Sequence, residues 1–290
     1  MTPSCSSAVG APWARQPRAP HAEVLGGVLS ISEPQRRSRV GHGSVGLALS
    51  SGAARGAAHA GVLRAIEEAG IEVSVLTGSS AGALIGGAWA AGVSAEEIID
   101  RVREAQFRDF GVPSLTPRLG LMDTTPLARN LEDWLGDVRI EDLPIRFGAV
   151  VTELVSPTPR LVTTGSLVDA VRASSAVPGL FPPVKVDGVS CIDGGVLSGL
   201  PIWGAHHLGA DDVIAVRLGD DPLWRRWLES RKDHPAHGQQ ADLLIVIDDE
   251  ACSSWTTADV PGMIERGYQT AQAALAVWQT DDRAAAVGQR

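Results

Sequence analysis

Gly78-Ser79-Ser80-Ala81-Gly82 sets a hydroxyl between two glycines, where an apolar strand-like run (Ile71, Val73, Val75, Leu76) meets a small-residue helical run from Ala81 to Val93. A serine on such a strand-to-helix turn projects its Oγ above a sheet beside a helix N-terminus, as a nucleophile must. Ser80 is therefore the candidate nucleophile, with Gly78 and Gly82 as the glycines of the turn. Acyl transfer also needs a base and donors for the developing oxyanion. The donors are expected in Ser51-Gly52-Ala53-Ala54-Arg55-Gly56, a loop between a strand and a helix, with the amides of Gly52, Ala53 and Ala81 holding the oxyanion.

Two kinds of base stand open. Asp193, in Cys191-Ile192-Asp193-Gly194-Gly195, ends a strand at a glycine turn that can hold a carboxylate at the same sheet edge as Ser80. An aspartate in such a turn also serves simply to cap its own backbone. His206, His207, His234 and His237 all follow Asp193 and fit the order Ser, Asp, His of an α/β-hydrolase triad. The first two lie in a helix-like stretch before Leu208-Gly209 and the others in a polar segment, while His59 reads as a packing or capping residue. Arg55 either pins the loop, attracts a substrate phosphate, or pairs with a surface carboxylate.

These residues must be positioned by a layered scaffold. Ser44 to Leu49 reads as a buried strand, His59 to Gly70 as an amphipathic helix, and the next strand delivers Ser80. Strand, helix, strand is a β-α-β unit, whose right-handed crossover implies parallel pairing. Further strands are predicted at Arg146 to Val151, Arg160 to Thr163, Val184 to Val186 and Val213 to Val216. Leu243 to Ile247, almost purely aliphatic, is predicted to be central or buried. Helices are predicted at Ala95 to Gln106, Pro126 to Leu135, Leu167 to Ala173 and Val260 to Trp278. The alternation predicts a three-layer α/β/α sandwich with a mostly parallel central sheet.

Residues 1 to 43 are expected to form a flexible arm, 44 to 280 the catalytic domain and 281 to 290 a tail. The formal charge of −9 is uneven: five Arg and two Glu give residues 1 to 40 a charge of +3, leaving −12 on the rest. An acidic body argues against a nucleic-acid substrate. Three widely spaced cysteines, Cys5, Cys191 and Cys252, lack metal-ligand spacing and suit reduced thiols in the cytoplasm, so neither metal nor cofactor is expected. Ala81 to Val93 is far short of the roughly 20 residues that span a bilayer. Trp224 and Trp227, beside Arg225, Arg226 and Arg231 in an insertion from Pro222 to Gln240, allow a peripheral membrane contact or a solvated helix. Leu84, Trp89, Phe107, Phe110, Leu121 and Met122 are candidates for an acyl pocket by proximity to Ser80, most of them also for the core, and Phe107 to Thr125 for a lid.

Taken in order, the motifs resemble the patatin-like phospholipases. Gly46 to Gly70 is similar to that family's oxyanion-loop block, Gly78 to Gly82 to its nucleophile elbow, Asp193-Gly194-Gly195 to its aspartate turn, and Ala173 to Val184 (ASSAVPGLFPPV) to its proline-rich block. The resemblance covers roughly Val45 to Leu275 and implies a metal-free Ser80–Asp193 dyad without histidine, acting on phospholipid or lysophospholipid esters. One departure stands out: the family's consecutive glycines are replaced by Ser51-Gly52-Ala53. If the loop demands left-handed geometry at position 53, alanine costs about 1 to 2 kcal/mol there. A non-catalytic lipid-binding or regulatory protein of the same fold is the alternative outside enzymes.

Overall fold

The computed structural model describes residues 43–114, 120–219, 240–248 and 259–287. The expected N-terminal arm, but for Gly43, lies outside the described residues, as do His234, His237 and all but Gln240 of the tryptophan-bearing insertion.

The chain opens with β1 (Val45–Leu49), a 3-10 turn at Ala53–Gly56 and α1 (Ala57–Glu68), then β2 (Val73–Ser79) and α2 (Ala81–Ala90). There follow α3 (Ala95–Glu104), α4 (Phe107–Phe110), the short strands β3 (Val112–Pro113) and β4 (Met122–Asp123), and α5 (Thr125–Leu135). The second half runs β5 (Arg146–Glu153), β6 (Pro159–Val162), α6 (Leu167–Ser174), β7 (Val184–Val186), β8 (Val189–Asp193), α7 (Ile202–His207) and β9 (Asp212–Leu218). It closes with β10 (Leu243–Ile247) and α8 (Val260–Val287). Helix α8 runs beyond the predicted Trp278; neither glycine nor proline interrupts it between Gly267 and Gly288.

The central sheet has the order β10-β9-β1-β2-β5-β8-β7, with β6 also on β5. Strands β10, β9, β1, β2 and β5 pair in parallel. β6, β7 and β8 add antiparallel pairings, so the sheet is mixed, with its parallel half bearing the β1-α1-β2 unit. Alternation along β1 splits the core between two faces. Leu47 and Leu49 join the large cluster formed with α1, α2, α6 and α8. Ala48, with Val75 and Ala215, faces a thin layer around Ala205 of α7 and Ala210. Small residues on that side let α7 lie close to the sheet.

The architecture decides two readings that the sequence left open. Leu243 to Ile247, expected to be central or buried, stands at the end of the sheet among the described residues: Ile245 and Ile247 are buried while Leu244 is exposed, so its aliphatic run covers one face beneath α8. Trp89 is core rather than pocket, and its indole N–H donates to Glu67 at 2.7 Å. Leu84 and Phe110 pack partly buried against the same core. The span proposed as a lid holds α4 and the β3–β4 pair, tied down where the Leu121 and Met122 amides donate to Gly179 and Leu180 carbonyls at 3.3 and 2.9 Å. Phe107's side chain lies outside the described residues.

Candidate active site

Strand β2 stops at Ser79 and α2 starts at Ala81, which leaves Ser80 alone on the turn with φ 52° and ψ −117°. Such a backbone costs an L-residue about 1 to 3 kcal/mol unless its surroundings over-determine it. Here they do. The Ser80 carbonyl accepts the Ala83 and Leu84 amides at 2.9 and 3.0 Å, and its own N–H donates to Ser174 Oγ at 2.9 Å. The turn closes so tightly that a Cβ at Gly78 would lie 2.4 Å from the Gly82 carbonyl, and one at Gly82 2.3 Å from the Leu49 carbonyl. Side chains are excluded at both positions, which explains the glycine spacing around the serine.

Sheet register brings Asp193 to that serine. β2 lies along β5 as far as the Ser79–Val150 pair, and β8 takes the next position with the Val151–Asp193 pair; β6 holds the opposite edge of β5 from Ala149 to Thr152, so Asp193 follows Ser79 on the same side of that strand, beside Ser80. The antiparallel direction of β8 makes its last residue, not its first, meet the edge. Asp193 is only 5% exposed, its N–H donates to the Ala176 carbonyl at 2.9 Å, and its Oδ1 accepts the Gly195 amide at 2.7 Å. Gly194 lets this turn press on β5, since a Cβ there would lie 2.1 Å from the Val150 carbonyl. Burial raises the Asp193 pKa from 3.8 to about 6, against the lowering effect of the Ser80 hydroxyl and the Gly195 N–H. The Ser80 contact is loose, because the buried Oδ2 has no hydrogen-bond partner. A long nucleophile–base contact is ordinary before substrate arrives.

The loop after β1 reaches the same place. Ser50 anchors it: its Oγ donates to the Ser51 carbonyl at 3.0 Å and accepts the Leu218 amide at 3.1 Å, and its own carbonyl accepts from His59 Nε2 at 2.8 Å. Ser51 N–H donates to the Gly199 carbonyl at 2.8 Å. Gly52 has an extended φ of 178°, whereas Ala53 takes φ 49°, so the loop does impose left-handed geometry on the alanine. Neither the Gly52 nor the Ala53 N–H has a partner among the described residues. Ala81 opens α2, so its N–H has no intrahelical acceptor. A Cβ at Gly56 would lie 2.4 Å from that of Ala81, so only glycine there lets the loop rest on the start of α2. Arg55 extends past the end of β9, where a Cβ on Gly219 would lie 2.5 Å from its Nη1, and its buried Nε lacks a hydrogen-bond partner.

Of the histidines weighed as a base, His234 and His237 lie outside the described residues, and the described ones stand away from Ser80. The His206 ring contacts the Ala210 carbonyl at 3.2 Å, and Ala210 packs where a Cβ on Gly46 would lie 2.6 Å away, at the beginning of β1. His206 and the neighbouring His207 thus belong to the amino edge of the parallel strands, opposite Ser80. His59 is wholly buried, and burial lowers its pKa to about 4. Because a carbonyl only accepts, Nε2 carries the proton to Ser50, and His59 works as a neutral strut behind the loop. Sequence reasoning missed Ser174 and Ser50. Ser174 lay inside the ASSAVPGLFPPV string, but nothing local distinguished its hydroxyl from that of Ser175. Among the described residues, no three His, Cys, Asp or Glu side chains cluster as metal ligands would.

A serine, a carboxylate of raised pKa and unpaired amides at one sheet edge are the parts that opening an ester by acyl transfer needs. The family described as patatin-like phospholipase matches residues 47–206, a span holding all three. The chain is 34% identical over 213 residues to neuropathy target esterase sws of Drosophila melanogaster, covering 66% of this chain and 15% of that one. It is 38% identical over 177 residues to an uncharacterized NTE family protein of Mycobacterium tuberculosis, covering 60% and 49%. Lysophospholipase nte1 of Aspergillus fumigatus is 33% identical over 181 residues, covering 61% and 12%. The chain therefore spans less than half the length of these curated relatives. Among solved structures, VipD from Legionella pneumophila aligns with a TM-score of 0.54 at 15% identity, over 80% of this chain and 66% of that one. The ExoU–SpcU complex of Pseudomonas aeruginosa aligns with a TM-score of 0.50 at 17% identity, over 80% and 51%. At such identities the likeness concerns the fold.

Proposed function

Because the chain belongs to the patatin-like phospholipase family, we propose that it is a serine acyl hydrolase cleaving ester-linked acyl chains of phospholipids or lysophospholipids through a Ser80–Asp193 dyad. The observation that carries this reading is the succession along one edge of β5, Ser79 on Val150 and then Asp193 on Val151, which sets the carboxyl beside the Ser80 turn, with its pKa raised to about 6 by burial. Asp193 accepts the Ser80 proton as Oγ bonds to the ester carbonyl carbon, and the amides of Gly52, Ala53 and Ala81 receive the negative oxygen. Collapse breaks the ester C–O bond, and the departing alcohol takes the proton from Asp193. Water, deprotonated by Asp193, then attacks the acyl-enzyme and releases the fatty acid while Ser80 recovers its hydrogen.

The lysophospholipid part of the reading leans on the relative named lysophospholipase nte1. Arg55, with its partnerless Nε beside the loop, is our candidate for attracting the substrate phosphate. Among the described residues no helix is long and apolar enough to cross a membrane, and we take the protein to meet lipid peripherally from the cytoplasm. In this reading the catalytic domain runs from 44 to 280.

Intact-mass labelling with a fluorophosphonate, followed by fatty-acid release from a lysophospholipid, tests the proposal. One adduct on wild type, absent from Ser80→Ala and Asp193→Ala, is expected together with release that both variants lose. A folded wild type that neither labels nor releases fatty acid would turn the reading towards a lipid-binding protein.

A further inference from the structure

We propose that Ser174 is a positioning residue for acylation, its hydroxyl locking the backbone of the nucleophile to the strand that supports the base. The inference rests on the reading of Ser80 and Asp193 given above. Ser174 ends α6 and is wholly buried. Its Oγ lies 2.9 Å from the Ser80 nitrogen and 2.6 Å from the Val150 carbonyl oxygen. An amide only donates and a carbonyl only accepts, so the single hydroxyl hydrogen goes to Val150 and a lone pair receives the Ser80 N–H.

A serine at a helix end with a merely local role bonds back to a carbonyl one turn earlier in its own helix. Ser174 instead reaches out of α6 to two other elements. At Ser80 it holds the N–H side of a residue whose carbonyl side is already held by Ala83 and Leu84, so the unfavourable φ is fixed from both ends. That bond also occupies the Ser80 N–H and leaves oxyanion binding to Gly52, Ala53 and Ala81. At β5 it fixes the same Val150 carbonyl against which the Gly194 turn packs, one residue before Val151 pairs with Asp193. One hydroxyl thus sets the spacing between nucleophile and base. Alanine would leave an amide and a carbonyl unpaired in a closed interior and free the turn to shift.

A misplacement of about 1 Å at reacting atoms costs roughly 100-fold in rate. The test is the saturable rate of fluorophosphonate labelling, resolved into reversible affinity and maximal rate, for wild type, Ser174→Ala, Ser174→Thr and Thr152→Val, with Ser80→Ala as the blank. Ser174→Ala is expected to lose about 100-fold in maximal rate with affinity nearly unchanged, and Ser174→Thr, which keeps the hydroxyl, to recover most of it. Thr152→Val removes a buried β5 hydroxyl that has no hydrogen-bond partner, and its rate is expected to match wild type. The proposal is overturned if Ser174→Ala labels within threefold of wild type, if folded Ser174→Thr is as slow as alanine, or if Thr152→Val is equally impaired. Should Ser174→Ala not fold, Ser174→Cys, a near-isostere with only weak hydrogen bonding, is judged by the same criterion. Wild type that fails to label, or Ser80→Ala that labels, defeats the underlying assignment of Ser80 instead.

Discussion

At the scale of single residues, burial suits Asp193 to its proposed role as base and makes it a burden on the fold. With its pKa raised to about 6, the acid limb of kcat/KM is expected near that value, measured as a pH–rate profile on a soluble ester. The stability effect has a definite sign. Between about 4 and 6 the native state holds the proton that the unfolded chain releases, so stability falls as pH rises through that window and stays lower above it. Asp193→Asn is therefore expected to abolish turnover yet raise stability at pH 7 to 8 by up to about 3 kcal/mol, a gain that denaturant titrations should see vanish below about pH 4. His59 acts oppositely: its pKa, lowered to about 4, means stability is lost as pH falls from 6.5 through that value. Ala53, at φ 49°, carries strain that glycine lacks. Ala53→Gly should gain about 0.5 to 1 kcal/mol in thermal denaturation, with activity at least equal to wild type.

Between elements, the closest tolerance is the seat of the oxyanion loop on α2. The proposed nucleophile and its proposed oxyanion donors come from different β-α junctions, so their alignment depends on Gly56 meeting Ala81 without a side chain between them. Gly56→Ala puts a methyl into a 2.4 Å gap and must lift the loop or tilt the helix. The expected result is a roughly 100-fold fall in kcat for ester hydrolysis with an unchanged far-UV circular dichroism spectrum. This junction was partly legible beforehand, because Gly52, Arg55-Gly56 and the elbow stood in motif order. The struts behind it were not. His59 reaching Ser50, and Ser50 reaching Leu218, join positions up to 168 residues apart, which no local pattern encodes.

For the molecule as a whole, the helical layer behind the site depends on α8, which lies beyond the 47–206 span of the family match. Helices α1 and α8 cross with their backbones in contact: a Cβ on Gly61 would lie 1.9 Å from the Ile264 carbonyl, and one on Gly267 2.1 Å from the Ala58 carbonyl. Ala58 is in the first turn of α1, directly after the oxyanion loop, so this crossing backs the active site as well as the core. Gly267→Leu is expected to cost more than about 3 kcal/mol, read as a lost or strongly lowered thermal transition, since rigid backbone rather than a movable side chain opposes the added atoms. If Gly267→Leu melts like wild type, α8 is not required by the domain.

Much of this was determined by the chain locally. A glycine-flanked serine between an apolar strand run and a small-residue helix specifies a strained turn, apolar periodicity specifies most strands and helices, and Asp-Gly-Gly specifies a turn after a strand; each depends on neighbours a few residues away. Tertiary structure decided what local chemistry leaves open. Strand pairing put Asp193 beside Ser80 along one edge of β5 and sent His206 to the opposite end of the parallel strands, two positions that composition could not separate. Tertiary packing also set an aliphatic strand at the end of the sheet among the described residues and turned Ser174 outward from its helix onto Ser80. Such choices rest on pairings between distant segments, whose energy comes from burial and hydrogen bonds formed only once the layers have closed.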